Sequence, residues 1–299
     1  MCAEQGSTTH SQAPGSVFRG LIQTESPLQI VGAINAYSAL LAERAGFKAI
    51  YLSGAGVANA SFGIPDLGMT SLNDVVADIR RITAVTNAPL LVDADTGWED
   101  PGATVAAFID AGAAAMHIED QLSTKRCGHR PGKKLVETSE MVDRIAASVE
   151  ARSDSSVVVM ARTDALADEG LDSAIDRCQA YVSAGADMIF AEAITDPDQY
   201  RRFTGSLTVP VLANMTEFGK SPLLGVSELA DVGVKLVLYP LSAFRAMSLA
   251  TERIYHAIRN DGTQKNVLDQ MQTREDLYKV LDYHRHEQQL DSILNEDQK

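Results

Sequence analysis

The amino-acid sequence predicts an α/β fold, a (β/α)8 TIM barrel followed by additional C-terminal helices. Three observations carry that prediction. Eight near-continuous apolar runs punctuate the chain, as suits parallel strands covered on both faces. Amphipathic stretches separate them, and four of these end in a small residue plus glycine just before the next apolar run. No G-x-G-x-x-G follows the first run, so the dinucleotide fingerprint of a doubly wound sheet is missing. Eight such units in about 245 residues suit one closed barrel.

The expected strands are 28–35, 49–53, 89–95, 115–120, 156–164, 188–192, 209–215 and 236–239. Gly46, Gly112, Gly185 and Gly233 stand where a helix needs a left-handed residue to stop. Helix starts are legible at Ser71 with Asp74 three residues on, at Asp100-Pro101, at Thr138 or Ser139, and at Asp196-Pro197. Leu72, Val75, Val76, Ile79 and Ile82 recur at helical spacing and mark one buried face. After the eighth strand, 242–260 reads as a helix with Phe244, Met247, Ala250, Ile254 and Ala257 on one side. The expected organisation is a disordered tail over 1–15, a barrel over 16–262 and a helical extension over 263–299. The extension exceeds what one barrel needs and is expected to pack on a neighbouring subunit.

Composition narrows the function. The 299 residues are 45% hydrophobic and 22% charged, ordinary values for a soluble protein with a large core. A net charge of −14 repels phosphate backbones and anionic membrane surfaces, so neither nucleic acid nor membrane is the expected partner. An anionic small substrate requires local inversion of that field by arginine or a metal ion. Three cysteines, Cys2, Cys127 and Cys178, make no disulfide framework and fit a reducing compartment, with cytoplasmic localisation expected. The first residues lack the basic stretch and apolar core of a signal peptide.

In such a barrel, catalytic groups gather at the C-terminal ends of the strands. Those ends carry Asn35; Tyr51 and Ser53; Asp93 and Asp95; His117, Glu119 and Asp120; Arg162 and Asp164; Glu192; Asn214 and Thr216; and Tyr239. Residues two apart share a face, which pairs Asp93 with Asp95 and His117 with Glu119. Carboxylates converging on one mouth repel one another unless a cation joins them. Oxygen ligands with room for waters suit Mg²⁺, or Mn²⁺, better than Zn²⁺. The competing reading of any single strand-end aspartate is a helix cap. The segment 125–134 is strongly basic and sets Cys127 among Arg126, His129 and Lys125, which lowers a thiol pKa. Its plainer reading is a solvated loop with an incidental cysteine. Arg162, Arg245 and Arg274 are candidate carboxylate clamps, or alternatively partners in ion pairs. Cys178 lies at core spacing on a helix.

Lys125-Arg126-Cys127-Gly128-His129-Arg130-Pro131, with Tyr51-Leu52-Ser53-Gly54, Val92-Asp93-Ala94-Asp95 and Ala161-Arg162-Thr163-Asp164-Ala165, resembles the isocitrate lyase/phosphoenolpyruvate mutase superfamily. Within it the chain is most similar to the branch that cleaves 2-methylisocitrate, and the likeness extends through 239–245 and 271–274. The resemblance implies a Mg²⁺-dependent lyase splitting that tricarboxylate into pyruvate and succinate in propionate breakdown; the related substrates are isocitrate and 2,3-dimethylmalate. It implies substrate contacts at Ser53, Gly54, Ala55, Cys127, Gly128, Arg162, Glu192, Asn214, Met215, Thr216, Arg245 and Arg274. Asp93 and Asp95 fall in its metal region, with Asp66 and Glu119 as outer, water-mediated partners. Cys127 is expected to protonate the succinate carbanion, and Tyr51 or a metal-bound water to take the hydroxyl proton. The resemblance also implies a homotetramer whose eighth helix swaps between subunits. Ala55 and Gly132 depart from the family's usual residues without removing a reacting group.

Overall fold

The computed structural model of the chain describes residues 12–123 and 134–296. In chain order the elements begin with α1 (Pro14–Thr24), β1 (Leu28–Gly32), α2 (Ala36–Arg44), β2 (Ala49–Leu52), α3 (Gly54–Gly56) running into a π-helical turn Val57–Phe62, and α4 (Leu72–Thr83). There follow β3 (Leu90–Asp93), α5 (Pro101–Asp110), β4 (Ala115–Glu119), α6 (Thr138–Glu150), β5 (Val158–Thr163), α7 (Leu166–Glu169) and α8 (Leu171–Ser183). The sheet is completed by β6 (Met188–Ala191), α9 (Pro197–Ser206), β7 (Val211–Asn214), α10 (Val226–Asp231) and β8 (Leu236–Tyr239). Beyond it lie α11 (Ser242–Asp261), a 3-10 turn, α12 (Arg274–Val280) and α13 (Tyr283–Glu296).

All eight strands pair in parallel and in order, and β8 returns to β1, closing the barrel the sequence predicts. The four expected helix-ending glycines take φ of 95°, 92°, 108° and 85°. Ser71 and Asp74 form a reciprocal capping box, and Asp100 and Asp196 cap their helices as the sequence indicates. The start of α6 differs, because Thr138 is already helical and Glu137 at the cap makes no side-chain bond. Asn35 also differs from a mouth residue: its side chain accepts from the Ser38 amide and caps α2.

Two apolar layers follow from strand alternation. Outward residues such as Ile50, Val92, Met116 and Ile189 pack under the helices, while Ile30, Leu91, Met160, Leu212 and Leu238 fill the barrel. Helix α1 was not foreseen; it begins at Pro14, inside the stretch expected to be disordered, and residues 1–11 lie outside the described region. Phe18 and Ile22 of α1 join the barrel-interior cluster and close its bottom, each burial contributing about 1.5–3 kcal/mol. Cys178 is buried in the outer layer, as its spacing suggests. Among the described residues no helix is long and apolar enough to cross a membrane.

Helix α11 has the expected apolar stripe but no buried residue; Met247, Leu249, Tyr255 and Ile258 are exposed on it, and Leu290, Ile293 and Leu294 on α13.

Closure at the β8–β1 seam depends on Gly32. A Cβ built there would lie 1.7 Å from the Pro240 carbonyl oxygen, backbone that cannot move aside cheaply. Gly32→Ala is therefore expected to lower unfolding stability by at least about 2 kcal/mol, read as a drop in the urea midpoint at fixed protein concentration. Gly20→Ala, on the exposed face of α1 with nothing within 4 Å, should hold or raise the midpoint. Equal midpoints for the two variants would count against the seam contact.

Candidate active site

The interior layer that begins with apolar side chains turns polar toward the top of the sheet. Leu91, Ala115, Met160 and Leu212 point inward, so Asp93, His117, Arg162 and Asn214 two residues later do too. All four are buried, as are Ser53, Asp95, Glu119, Asp164 and Glu192.

Tyr51 and His117 form the floor. A 3.0 Å hydrogen bond joins Tyr51 Oη to His117 Nε2, the rings stack at 5.8 Å, and Phe190 meets the imidazole edge-on. Tyr51 Oη also lies 3.4 Å from Asp93 Oδ2, and His117 Nδ1 lies 3.7 Å from Asp93 Oδ1. Burial first, and then the charge of Asp93, push the Tyr51 hydroxyl well above the usual phenol range. His117 was legible only as a face-mate of Glu119; its bond to Tyr51 depends on register between β2 and β4, across β3, which no local pattern reports.

Asp93 and Asp95 stand side by side above this floor. Asp93 accepts from the amides of Gly54 and Asp95, each at 3.1 Å, and Asp95 reaches its place through a left-handed turn with φ 48°. Gly54 must be glycine here: a Cβ would fall 2.9 Å from Asp95 Oδ1 and 3.1 Å from Asp93 Oδ2. Backbone strain gathers at the same end of the barrel, since Ala193 and Phe218 just past β6 and β7 also have positive φ.

Two strands along, at the end of β5, Arg162 lies among three carboxylates. Its guanidinium donates to Asp164 at 3.0 and 3.3 Å and pairs with Glu119 at 3.3 Å and Glu192 at 3.5 Å, while its face covers the Phe190 ring. Burial opposes its charge, but Asp164, Glu119, Glu192 and Asp93 together raise its proton affinity further, so it stays cationic. Glu192 is held by the Ala193 amide at 2.8 Å and by Asn214 Nδ2 at 3.3 Å. The Asn214 Oδ1 atom is buried with no hydrogen-bond partner among the described residues, which leaves an acceptor for a ligand donor.

The other expected residues fall less centrally. Ala55 is half-buried in α3, Met215 and Thr216 are buried past β7, and Asp66 is half-buried in the loop before α4. Arg245, in the first turn of α11, contacts Thr216 at 3.4 Å but is gripped by Glu217, which also accepts from Ser242. Nothing in the sequence marked Glu217. Arg274 opens α12, is exposed, and among the described residues joins no carboxylate of the mouth. Cys127 and Gly128 lie outside the described residues. Both roots of their segment are set beside β4: Leu122 N donates to Lys134 O at 2.8 Å, and Gln121 bridges to Leu135.

With this geometry in place, comparison with known proteins is informative. Residues 18–259 match the family described as phosphoenolpyruvate phosphomutase. The chain belongs to that family. Within the wider phosphoenolpyruvate mutase/isocitrate lyase superfamily, it is 57% identical over 290 residues to a 2-methylisocitrate lyase of Shewanella oneidensis, covering 96% of this chain and 99% of the relative. A solved 2,3-dimethylmalate lyase superposes with a TM-score of 0.86 at 35% identity, covering 92% of this chain and 94% of that one. A phosphonopyruvate hydrolase solved with oxalate and Mg²⁺ superposes with a TM-score of 0.82 at 29% identity, over 92% and 97% of the two chains. The superfamily scaffold thus brings the strand-end carboxylates of this member together as its alternation predicts.

Removing the guanidinium should expose how much it compensates. Arg162→Met leaves buried carboxylates without their cation, an expected loss of about 3–5 kcal/mol at neutral pH. Carboxylates left so have folded-state pKa values above their unfolded ones. Their cost is therefore full at high pH and relieved as pH falls. The deficit relative to the parent should narrow from pH 8 to pH 5 in urea unfolding; a deficit independent of pH would contradict the compensation.

Proposed function

We propose that the chain is a carbon–carbon lyase that cleaves 2-methylisocitrate to pyruvate and succinate. The observation that carries this reading is the adjacent, glycine-cradled pair Asp93 and Asp95 facing a buried guanidinium, in a chain near-identical in extent to a 2-methylisocitrate lyase.

The aspartate pair fits a divalent cation. Among the described residues no three His, Cys, Asp or Glu side chains form a ready ligand set, so a metal held by Asp93 and Asp95 would keep positions for water and substrate, as Mg²⁺ prefers. The space a Gly54 side chain would fill leaves both carboxylates approachable. Asp66 and Glu119 would act through water. Bound there, the cation supplies Lewis acidity at the substrate hydroxyl and its neighbouring carboxylate.

The reaction is a retro-aldol cleavage. The hydroxyl of the methyl-bearing carbon loses its proton and becomes the ketone of pyruvate. The electrons of the broken bond pass to the succinate half, which is protonated at carbon. Tyr51, held neutral by burial, is a poor base alone. It takes the hydroxyl proton by passing its own to His117 Nε2 at 3.0 Å. Arg162 holds the nascent pyruvate carboxylate. Asn214, Thr216 and Arg245 hold succinate carboxylates, with Glu192 fixing Asn214, and the main chain at Ser53, Gly54 and Ala55 lines the same wall. Substrate must exchange with Glu217 for Arg245. Cys127 donates the carbon-bound proton; four residues beyond Ser123, its Cα stays within about 14 Å of that residue by chain length alone. Gly128 and Met215 complete the pocket.

The surplus helices support assembly. The uncovered apolar face of α11 and the exposed leucines of α13 are read as packing on neighbouring copies, with α11 swapped in a homotetramer and Arg274 delivered near the site by that assembly. The enzyme is read as working in the cytoplasm.

A product assay tests the reaction. Pyruvate and succinate should form from 2-methylisocitrate faster than cleavage products from isocitrate or 2,3-dimethylmalate, and excess chelator should abolish turnover until Mg²⁺ is restored. No pyruvate from 2-methylisocitrate, or a full rate in chelator, would overturn the assignment. Separately, Cys127→Ser should lower turnover about 10²–10⁴-fold; a rate near the parent's would remove the thiol from the chemistry.

A further inference from the structure

One charged group beside the site plays no part in the chemistry above. Asp120 follows Glu119, so alternation turns its side chain away from the mouth and into the layer between the sheet and α8. It is fully buried there. Its carboxylate accepts from the Thr163 hydroxyl at 2.6 Å, the Asp164 amide at 2.9 Å and the Tyr181 hydroxyl at 2.9 Å, and Arg177 Nη1 lies 3.9 Å away. A charge in this apolar layer is costly to desolvate, and an apolar side chain would pack there without that penalty.

What Asp120 secures is on its two flanks. Toward β5 it fixes the amide of Asp164, the residue whose side chain grips Arg162. The Asp120 amide also donates to the Arg162 carbonyl. Toward the other flank, the Asp120 carbonyl accepts from the Val136 amide at 2.9 Å, and Arg177 donates to the Val136 carbonyl at 3.0 Å while paired with Glu169. Val136 lies on the stem through which the segment bearing Cys127 returns to the fold. One buried residue therefore ties the element that orients the arginine, through its carboxylate, to Val136, through its main-chain carbonyl and Arg177.

We infer that Asp120, braced by Thr163, Tyr181 and Arg177, is a positioning residue that sets Arg162 and the root of the Cys127 segment in register. The inference rests on the lyase reading for its kinetic consequence and on geometry alone for its structural one. Displacing a reacting group by about 1 Å can lower turnover some 10²-fold without emptying the site.

The experiment compares Asp120→Asn, Tyr181→Phe and Thr163→Val with Cys178→Ala, a core change on the same helix that removes no bond of the network. Each full-length variant is checked for its thermal midpoint. Turnover is measured on 2-methylisocitrate with Mg²⁺, and the rate of tryptic cutting between Lys125 and Lys134 is followed in the native protein. Asp120→Asn should lower kcat about 10- to 100-fold with KM changed less than about 3-fold. Tyr181→Phe and Thr163→Val should show smaller falls of the same kind. Tryptic cutting in that segment should quicken in all three and not in Cys178→Ala. If Asp120→Asn does not fold, the other two variants decide. Parent-like kcat and cutting rates in folded variants overturn the inference, and so does an equal loss in Cys178→Ala. A parent protein without turnover refutes the lyase reading instead, and the cutting rates still decide the role of Asp120.

Discussion

Among the described residues, the mouth of this barrel is organised around a charge imbalance. Strand alternation aims five acidic side chains, Asp93, Asp95, Glu119, Asp164 and Glu192, into a space with almost no solvent. Arg162 neutralises part of that charge by touching three of them. Asp93 and Asp95 stand beside each other at the end of β3, and Asp93 accepts from the backbone amides of Gly54 and Asp95. Amide donors stabilise the Asp93 carboxylate without supplying a full positive charge. Among the described residues, the arrangement is the one on which the metal and substrate roles proposed above rest. The overall charge of −14 opposes long-range steering of an anionic ligand, so local contacts would have to hold one.

Much of this was legible because it depends on local rules. Apolar runs of the right length, glycines at helix ends and acidic caps each act within a few residues, and the eight strands, the four left-handed glycines and three of the helix starts appear where those rules put them. Alternation within one strand also identified the Asp93–Asp95 pair. What escaped depends on contacts between distant segments. Helix α1 has no cap signal beyond Pro14, and its burial comes from the barrel bottom it closes. Asn35 looked like a mouth residue, but Ser38 three residues later makes it a cap. Asp120 and Asp164 read alike in sequence, yet one-residue parity sends the first outward and the second onto Arg162. Glu217 follows Thr216 without any pattern to mark it, and only the return of α11 brings Arg245 onto it.

Helix α11 shows the converse. Its apolar stripe was correctly read as helical, but in one chain the stripe is not buried. Periodicity reports that a face needs covering and says nothing of which molecule covers it. Met247, Leu249, Tyr255 and Ile258 are exposed on this helix, which also carries Arg245 beside Thr216.

The shared scaffold separates what is general from what is particular here. A 2,3-dimethylmalate lyase and a phosphonopyruvate hydrolase superpose on the same barrel, so the closed sheet cannot by itself choose among substrates. Choice must come from groups that face the variable part of the substrate. Discriminating a methyl group from hydrogen is worth only about 1–3 kcal/mol in an apolar pocket. That is comparable to shifting one packed side chain, and far smaller than the pairing energies that hold Arg162 in place. Changes in the deep charged layer around Arg162 are therefore the more severe ones. Ala55 in α3 and the turn at Glu217 and Phe218 lie outside that layer, and they are described positions where a substitution of the smaller size can act.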